Sequence, residues 1–540
     1  MSLEQQLFSL FPERKDVPAK FAVGGPKDYP HYLINGEILT WDGEMQDILS
    51  PVEVKTDGAC EQVLLGRCPV LDEDAGRRAV EAADAAFDNG RGEWPTMSVA
   101  SRIRHMEEFA TRMVESRDEV VRLMSWEICK SVKDSETEFD RTVDYIRDTI
   151  DALKDQDRSN SRFVIEKGIY AQIRRAPLGP VLCMGPYNYP FNETFATLIP
   201  ALIMGNPVIV KTPRLGKLLL TPVIEAFRDC FPKGVINILF GDRRVTKPML
   251  ESGKISVLAF IGSSKAADAL RLMHPHPHRL RCVLGMDAKN PAIVLQSADM
   301  DLTVREILSG SLSFNGQRCT AIKIVFVHRS LADELLRRLS EGIAELPVGM
   351  PYTDGVKITP LPVPGKTEYL TDLVKDAEAH GAKVVNPDGG TAVKSLFYPA
   401  LLYPVNEKMR VYHEEQFGPV VPVIPFDDEK EAVDYIVQSN FGQQVSLFGT
   451  DPDQMAKLID PMVNQVCRVN INSQCQRGPD TFPFTGRKDS AEATLSVTDA
   501  LRCFSIRTLV AAKGSDANKD LLTRIVRGRS SNFLSTDFIF

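Results

Sequence analysis

Few side chains in this sequence stand where they could do chemistry, and the most suggestive is Cys319. In Phe314-Asn315-Gly316-Gln317-Arg318-Cys319-Thr320 the thiol sits between an arginine and a threonine, shortly after a glycine. An apolar segment suited to a helix (Ile307 to Leu312) and one suited to a strand (Ile322 to Val327) flank it. A thiol attacks as thiolate, a form that a helix terminus or nearby cation favours, so this junction suits a nucleophile. Taken alone, a solitary cysteine equally suits a buried structural role. Asn188, in Gly185-Pro186-Tyr187-Asn188-Tyr189-Pro190, has an amide that could hold an oxyanion, where one preorganised donor is worth roughly 3 kcal/mol. It could also simply turn the chain between prolines. Arg477 carries a planar fork that matches phosphate, or else joins a structural ion pair. The tract His274-Pro275-His276-Pro277-His278 spaces its imidazoles without convergence, so a loop and no metal are expected there.

The elements around these residues read as α/β. From Glu73 to Phe87 alanines and charges alternate at helical spacing, Ser98 is placed to cap a long helix, and an acidic helix runs from Glu138 to Leu153. Arg162 to Arg174, broken at Lys167-Gly168, reads as a hairpin. After Pro177 short apolar strands alternate with helices through Gly262, and a second alternation begins at Asn290. That pattern predicts two doubly wound parallel sheets, with ligands at the carboxyl ends of the strands. No GxGxxG is present, which lowers the expectation of an ordinary dinucleotide fingerprint. The expected division is a cofactor-binding domain over 1–161 and 177–285 and a catalytic domain over 286–490. Residues 162–176 and 499–540 are left as bridging segments, and the apolar end of the chain is expected to be docked.

Bulk properties exclude several classes. The chain has 540 residues, 43% hydrophobic and 25% charged, with a formal net charge of −8. That balance gives no nucleic-acid surface. Ten cysteines occur without a CxxC pair, arguing against a zinc site or a disulfide scaffold. Met1 to Asp16 carries charges too early and too often for a secretory signal, and no apolar run reaches membrane-spanning length. A reduced, cytoplasmic protein is expected.

The motifs together resemble the aldehyde dehydrogenase superfamily over about 70–510. Besides the cysteine stretch and the Pro-x-Asn-Tyr-Pro segment, Gly205 to Pro213 resembles the strand whose terminal lysine, here Lys211, holds the adenosine ribose. Three residues on, many NAD-using members carry a glutamate, whereas this chain has Arg214. A carboxylate would repel a 2′-phosphate that a guanidinium pairs with, so the resemblance implies NADP, with Lys217 as a second positive charge. Phe260-Ile261-Gly262-Ser263-Ser264 resembles the cofactor turn, placing Gly262 and Ser263 at a phosphate-friendly helix N-terminus. Its second glycine falls on Ala267. Glu414 to Pro419 resembles the E-E-x-F-G-P motif, which implies Glu415 on the nicotinamide ribose and Phe417 beside the ring. Gln476-Arg477-Gly478-Pro479-Asp480-Thr481-Phe482-Pro483-Phe484 is similar to non-phosphorylating, NADP-dependent glyceraldehyde-3-phosphate dehydrogenases, as is Gln317 to Ala321. Arg477, Arg318 and Tyr189 are then the substrate-side candidates.

The implied reaction is attack of Cys319 on a phosphorylated aldehyde, oxyanion stabilisation by Asn188 and the Cys319 N–H, hydride transfer to NADP, and hydrolysis of the thioester. The resemblance also implies a homotetramer or homodimer built through the 162–176 hairpin and the 499–512 strand. One departure stands out. The family's E-L-G-G-K, whose glutamate serves as base for hydrolysis, reads here Val283-Leu284-Gly285-Met286-Asp287-Ala288-Lys289. On this reading Val283 takes the glutamate's place, two extra residues precede Lys289, and Asp287 is the nearest carboxylate. Two alternatives follow: a member that passes its acyl group to coenzyme A, and a non-catalytic protein of the same fold.

Overall fold

Apolar strands and helices alternate from Val181 onward as the spacing predicts, and they assemble into two separate sheets. The computed structural model describes residues 1–56 and 58–537. The first sheet has eight strands around a parallel core ordered Arg281–Gly285, Val257–Ile261, Val181–Met184, Val208–Lys211 and Ile236–Leu239. Helices cover both faces, so these strands are apolar on both sides and almost wholly buried. Strand order reverses beside Val181–Met184, which opens a crevice beyond the carboxyl ends of the central strands. The hairpin His31–Ile34 and Glu37–Thr40 extends one edge, turning at left-handed Asn35 and Gly36 (φ 54° and 75°). Ala491–Glu492 closes the other edge on its return from the second lobe.

The second sheet has seven strands, ordered Lys383–Val384, Ala400–Tyr403, Val420–Phe426, Ile322–His328, Asn290–Val294, Gln444–Phe448 and Arg468–Ile471. All pair in parallel except the first. A third, small sheet joins Phe163–Glu166 and Ile169–Pro177 to Ser505–Lys513, so the predicted hairpin finds its third strand from the far end of the chain.

Three local expectations change. Leu215 to Cys230 reads as one helix but forms a tight turn, Leu218–Val223, before the helix Ile224–Cys230. Pro222 lacks the N–H that a continuous α-helix needs there. The tail begins with a helix, Val497–Cys503, and only then the strand; a further helix, Asp516–Arg527, follows. Its apolar stripe, Leu522, Ile525 and Val526, is only partly covered. The tail is docked beyond it: Leu534 is buried, and Gln172 Nε2 donates to the Ser535 carbonyl at 2.6 Å. Residues 538–540 of the apolar terminus lie outside the described residues.

Candidate active site

The helix Met300–Leu312 and the strand Ile322–His328 hold the cysteine loop between them. Phe314, Asn315 and Gly316 are consecutive left-handed residues, with φ of 50°, 56° and 69°. Such strain persists only where the surroundings over-determine it. Asn315 exchanges two hydrogen bonds with Thr359, donating from Nδ2 to its carbonyl at 2.9 Å and accepting its N–H at 3.0 Å. A Cβ on Gly316 would lie 2.7 Å from the Ser311 carbonyl oxygen and 2.8 Å from that of Gly418, so only glycine fits. The Cys319 carbonyl accepts from Asn290 Nδ2 at 2.7 Å and from Lys323 Nζ at 2.8 Å. Its N–H has no partner among the described residues.

The cysteine faces a cleft of about 490 Å³ between the two sheets. Asn188, Tyr189, Arg214, Gly262, Ser263, Glu415 and Phe417 line the same cleft. Lys211, Arg318 and Arg477 do not line it. Burial pushes the Cys319 thiol up to about 11; Glu193 adds to this, while Lys323 and Arg477 pull the other way.

Asn188 is buried and donates from Nδ2 to the Gln317 carbonyl at 2.9 Å, which leaves its second N–H for another acceptor. Its loop is held from below. Lys130, fully buried and ion-paired with Glu138, donates to the Asn188 carbonyl at 2.8 Å. Glu138 Oε1 accepts the backbone N–H groups of Phe191 and Asn192 at 3.0 and 3.1 Å, capping the helix Asn192–Ile203. The Lys130 ammonium also lies 3.5 Å from the Tyr189 ring centroid and 4.5 Å from that of Phe314. Lys130, Glu138 and Lys323 did not stand out in the sequence. Each acts on residues brought near by folding, and no spacing rule marks them.

Outside the cleft lining, Lys211 ends its strand half-buried, its side chain with no hydrogen bond or ion pair among the described residues. Burial, with Lys217 nearby, lowers its ammonium to about 8. Arg214 is exposed and likewise unpaired. Lys217 is buried and donates to Gln46 Oε1, while its N–H goes to Glu127 at 2.6 Å, so its charge acts from within the wall. Ser263 caps the helix Ser264–Arg271. Gly262 has no room for a side chain, because a Cβ would meet the Phe260 ring at 2.4 Å. Glu415 lies 3.0 Å from Lys323 Nζ; burial pushes its carboxyl up and Lys323 restrains the shift. Phe417 packs edge-on against Tyr187 at 6.0 Å.

The substrate-side candidates are engaged. Arg477 is buried between Glu193 and Asp480, with its guanidinium 4.6 Å from the Phe484 ring centroid. Asp480 is gripped in turn by both arms of Arg141 at 2.7 Å each. Arg318 turns toward the end of the helix Met300–Leu312 and donates to the Gly310 carbonyl at 2.8 Å. Tyr189 sits edge-on to Phe314.

The structure also corrects the alignment at Val283. That residue is fully buried in mid-strand, paired with Ala259, and does not reach the cleft. The strand pairs with its neighbour from Arg281 to Gly285 without a bulge, so no insertion is needed. Counting back from Lys289 then puts Gly285 where E-L-G-G-K has its glutamate, and Gly285 does line the cleft. Asp287 is no substitute, since its Oδ2 accepts both the N–H and the hydroxyl of Ser264 at 2.8 Å. That oxygen is committed to the helix N-terminus. The His274 to His278 tract forms a turn.

Residues 53–509 match the aldehyde dehydrogenase family. A curated NADP-dependent glyceraldehyde-3-phosphate dehydrogenase from Streptococcus equinus is 31% identical over 503 residues, 91% of this chain and 98% of the relative. One from Apium graveolens is 29% identical over 494 residues, 88% and 96% of the two chains. Among solved structures, the NADP-dependent glyceraldehyde-3-phosphate dehydrogenase of Bacillus halodurans C-125, complexed with NADP, superposes with a TM-score of 0.81. It is 31% identical, covering 90% of this chain and 99% of that one.

Proposed function

This chain belongs to the aldehyde dehydrogenase family, and on that premise we propose that it oxidises a phosphorylated aldehyde, glyceraldehyde 3-phosphate, to the acid with NADP. The carrying observation is that Cys319 and the Asn188 amide share one cleft with an unpaired arginine, Arg214, at its edge.

The roles follow from position. The Cys319 thiol loses its proton to solvent, Sγ adds to the aldehyde carbon, and the charge that develops on oxygen meets the second Asn188 N–H and the Cys319 N–H, which has no partner among the described residues. Loss of hydride from that adduct leaves a thioester on Cys319, which water then cleaves. Lys211 and Arg214, neither in an ion pair among the described residues, fit the phosphate-bearing adenosine end of NADP; Gly262 and Ser263 take its middle, and Glu415 and Phe417 its nicotinamide end. When bound, NADP supplies the hydride acceptor. Tyr189 borders the substrate, while Arg318, turned onto the Gly310 carbonyl, braces the cysteine loop. Arg477, already paired with Glu193 and Asp480 outside the cleft lining, contributes positive charge from behind the substrate side without touching substrate. On this reading 1–161 and 177–285 form the cofactor domain and 286–490 the catalytic one, and the protein works in the cytoplasm. The outer strand Ser505–Lys513 leaves Ile506 and Leu509 exposed along an unpaired edge, which supports a homotetramer or homodimer joined through the small sheet.

The test is an aldehyde panel, with and without phosphate, against both nicotinamide cofactors. Preference for an unphosphorylated aldehyde would remove the substrate assignment, and preference for NAD the cofactor assignment. The absence of a carboxylate at Gly285 favours one rival, acyl transfer to coenzyme A. Turnover that depends strictly on coenzyme A would establish that rival.

A further inference from the structure

Three carboxylates line the cleft with Cys319: Glu193, Asp287 and Glu415. Two have other work. Asp287 caps the helix Ser264–Arg271, and Glu415 is held by Lys323. Glu193 differs. It stands in the first turn of the helix Asn192–Ile203, five positions beyond Asn188, and is buried. Its Oε2 is taken by Arg477, while its Oε1 has no hydrogen bond among the described residues. The relay Arg141–Asp480–Arg477 backs it from behind and fixes where it points. Of the charged groups that act on the Cys319 thiol, Glu193 acts most strongly. Gly285, at the expected base position, has no side chain to take a proton.

We propose that Glu193 is the general base for hydrolysis of the Cys319 thioester, a role that rests on the hydrolytic reading above. Water bound at Oε1 gives its proton to that oxygen as its own oxygen bonds to the thioester carbonyl carbon. The C–S bond then breaks, its electron pair returns to Sγ, and the acid leaves. The proton on Glu193 passes to the thiolate, restoring both groups. No further reactant is required. General-base assistance of this kind is worth about 10²- to 10⁴-fold.

Rapid mixing of Glu193→Gln with aldehyde and NADP tests the role. Expected is a burst of one NADPH per Cys319 at close to the wild-type rate, followed by steady-state turnover lowered about 100-fold. Intact mass should then show the acyl group retained on the protein, and added hydroxylamine, a nucleophile that needs no base, should restore turnover. Gly285→Glu in the Glu193→Gln background should regain hydrolysis. The neighbours that a Cβ at Gly285 would meet lie no closer than 3.4 Å. Unchanged steady-state turnover in Glu193→Gln would overturn the role, as would loss of the burst in a folded variant whose melting transition matches wild type. Strict coenzyme A dependence of the wild-type enzyme would instead overturn the hydrolytic reading itself.

Discussion

On the proposed function, two residues govern the reactivity and the cofactor choice. The Cys319 thiol, pushed up to about 11, is protonated at neutral pH in the free enzyme. Alkylation by iodoacetamide is therefore expected to accelerate about tenfold per pH unit between pH 7 and 10, since only the thiolate reacts. A plateau near pH 8 would contradict the burial argument. Arg214 is the exposed cation at the cleft edge, and Arg214→Glu places a carboxylate where a 2′-phosphate would lie. The ratio of kcat/KM for NADP over NAD should fall by at least about tenfold, the equivalent of roughly 1.4 kcal/mol. An unchanged ratio would take Arg214 out of cofactor selection. Arg477 shows how a single residue's meaning depends on its partners. A planar fork suggests a phosphate clamp, but in the fold it already grips Glu193 and Asp480.

At the scale of elements, strand ends and helix starts carry the machinery. The strand Val208–Lys211 delivers a lysine lowered to about 8 by burial and by Lys217. Lys211 is charged below that value and neutral above it, so NADP affinity should weaken as pH rises through about 8. Titration calorimetry across pH 7 to 9 should show the slope, and Lys211→Met should flatten it. The helix Asn192–Ile203 starts on a cap built from Glu138, whose charge is balanced by Lys130. Removing one partner of a buried ion pair strands the other, at a cost of about 3–5 kcal/mol. Lys130→Met should lower the denaturant midpoint accordingly. It should also reduce kcat more than it raises KM, because the Asn188 carbonyl loses its anchor. A stable variant with normal kcat would leave Lys130 without a positioning role.

Over the whole molecule, two sheets face one cleft while a third, small sheet projects Ser505–Lys513 at its edge. An edge strand with exposed Ile506 and Leu509 is a template for a second copy. Leu509→Lys is expected to shift sedimentation toward a smaller species with little change in melting temperature. Identical sedimentation of both forms would place the contact elsewhere. Among the described residues, no helix is long and apolar enough to cross a membrane.

Much of this architecture is written locally. Apolar runs of strand length separated by helical spacing determine two doubly wound sheets, because burial on both faces demands such runs. Asn35-Gly36 and Lys167-Gly168 specify their hairpins, and the cysteine, Pro-x-Asn-Tyr-Pro and E-E-x-F-G-P motifs mark which loops meet at the cleft. Pairings between distant segments are different in kind. Nothing near Arg477 in the chain announces Glu193, nothing near Asn188 announces Lys130, and only strand pairing reveals that Gly285 rather than Val283 opens on the thiol. Periodicity records which face of an element is buried. Which charge neutralises which, and which oxygen is left free for water, depends on side chains that meet only after the two lobes close on one another.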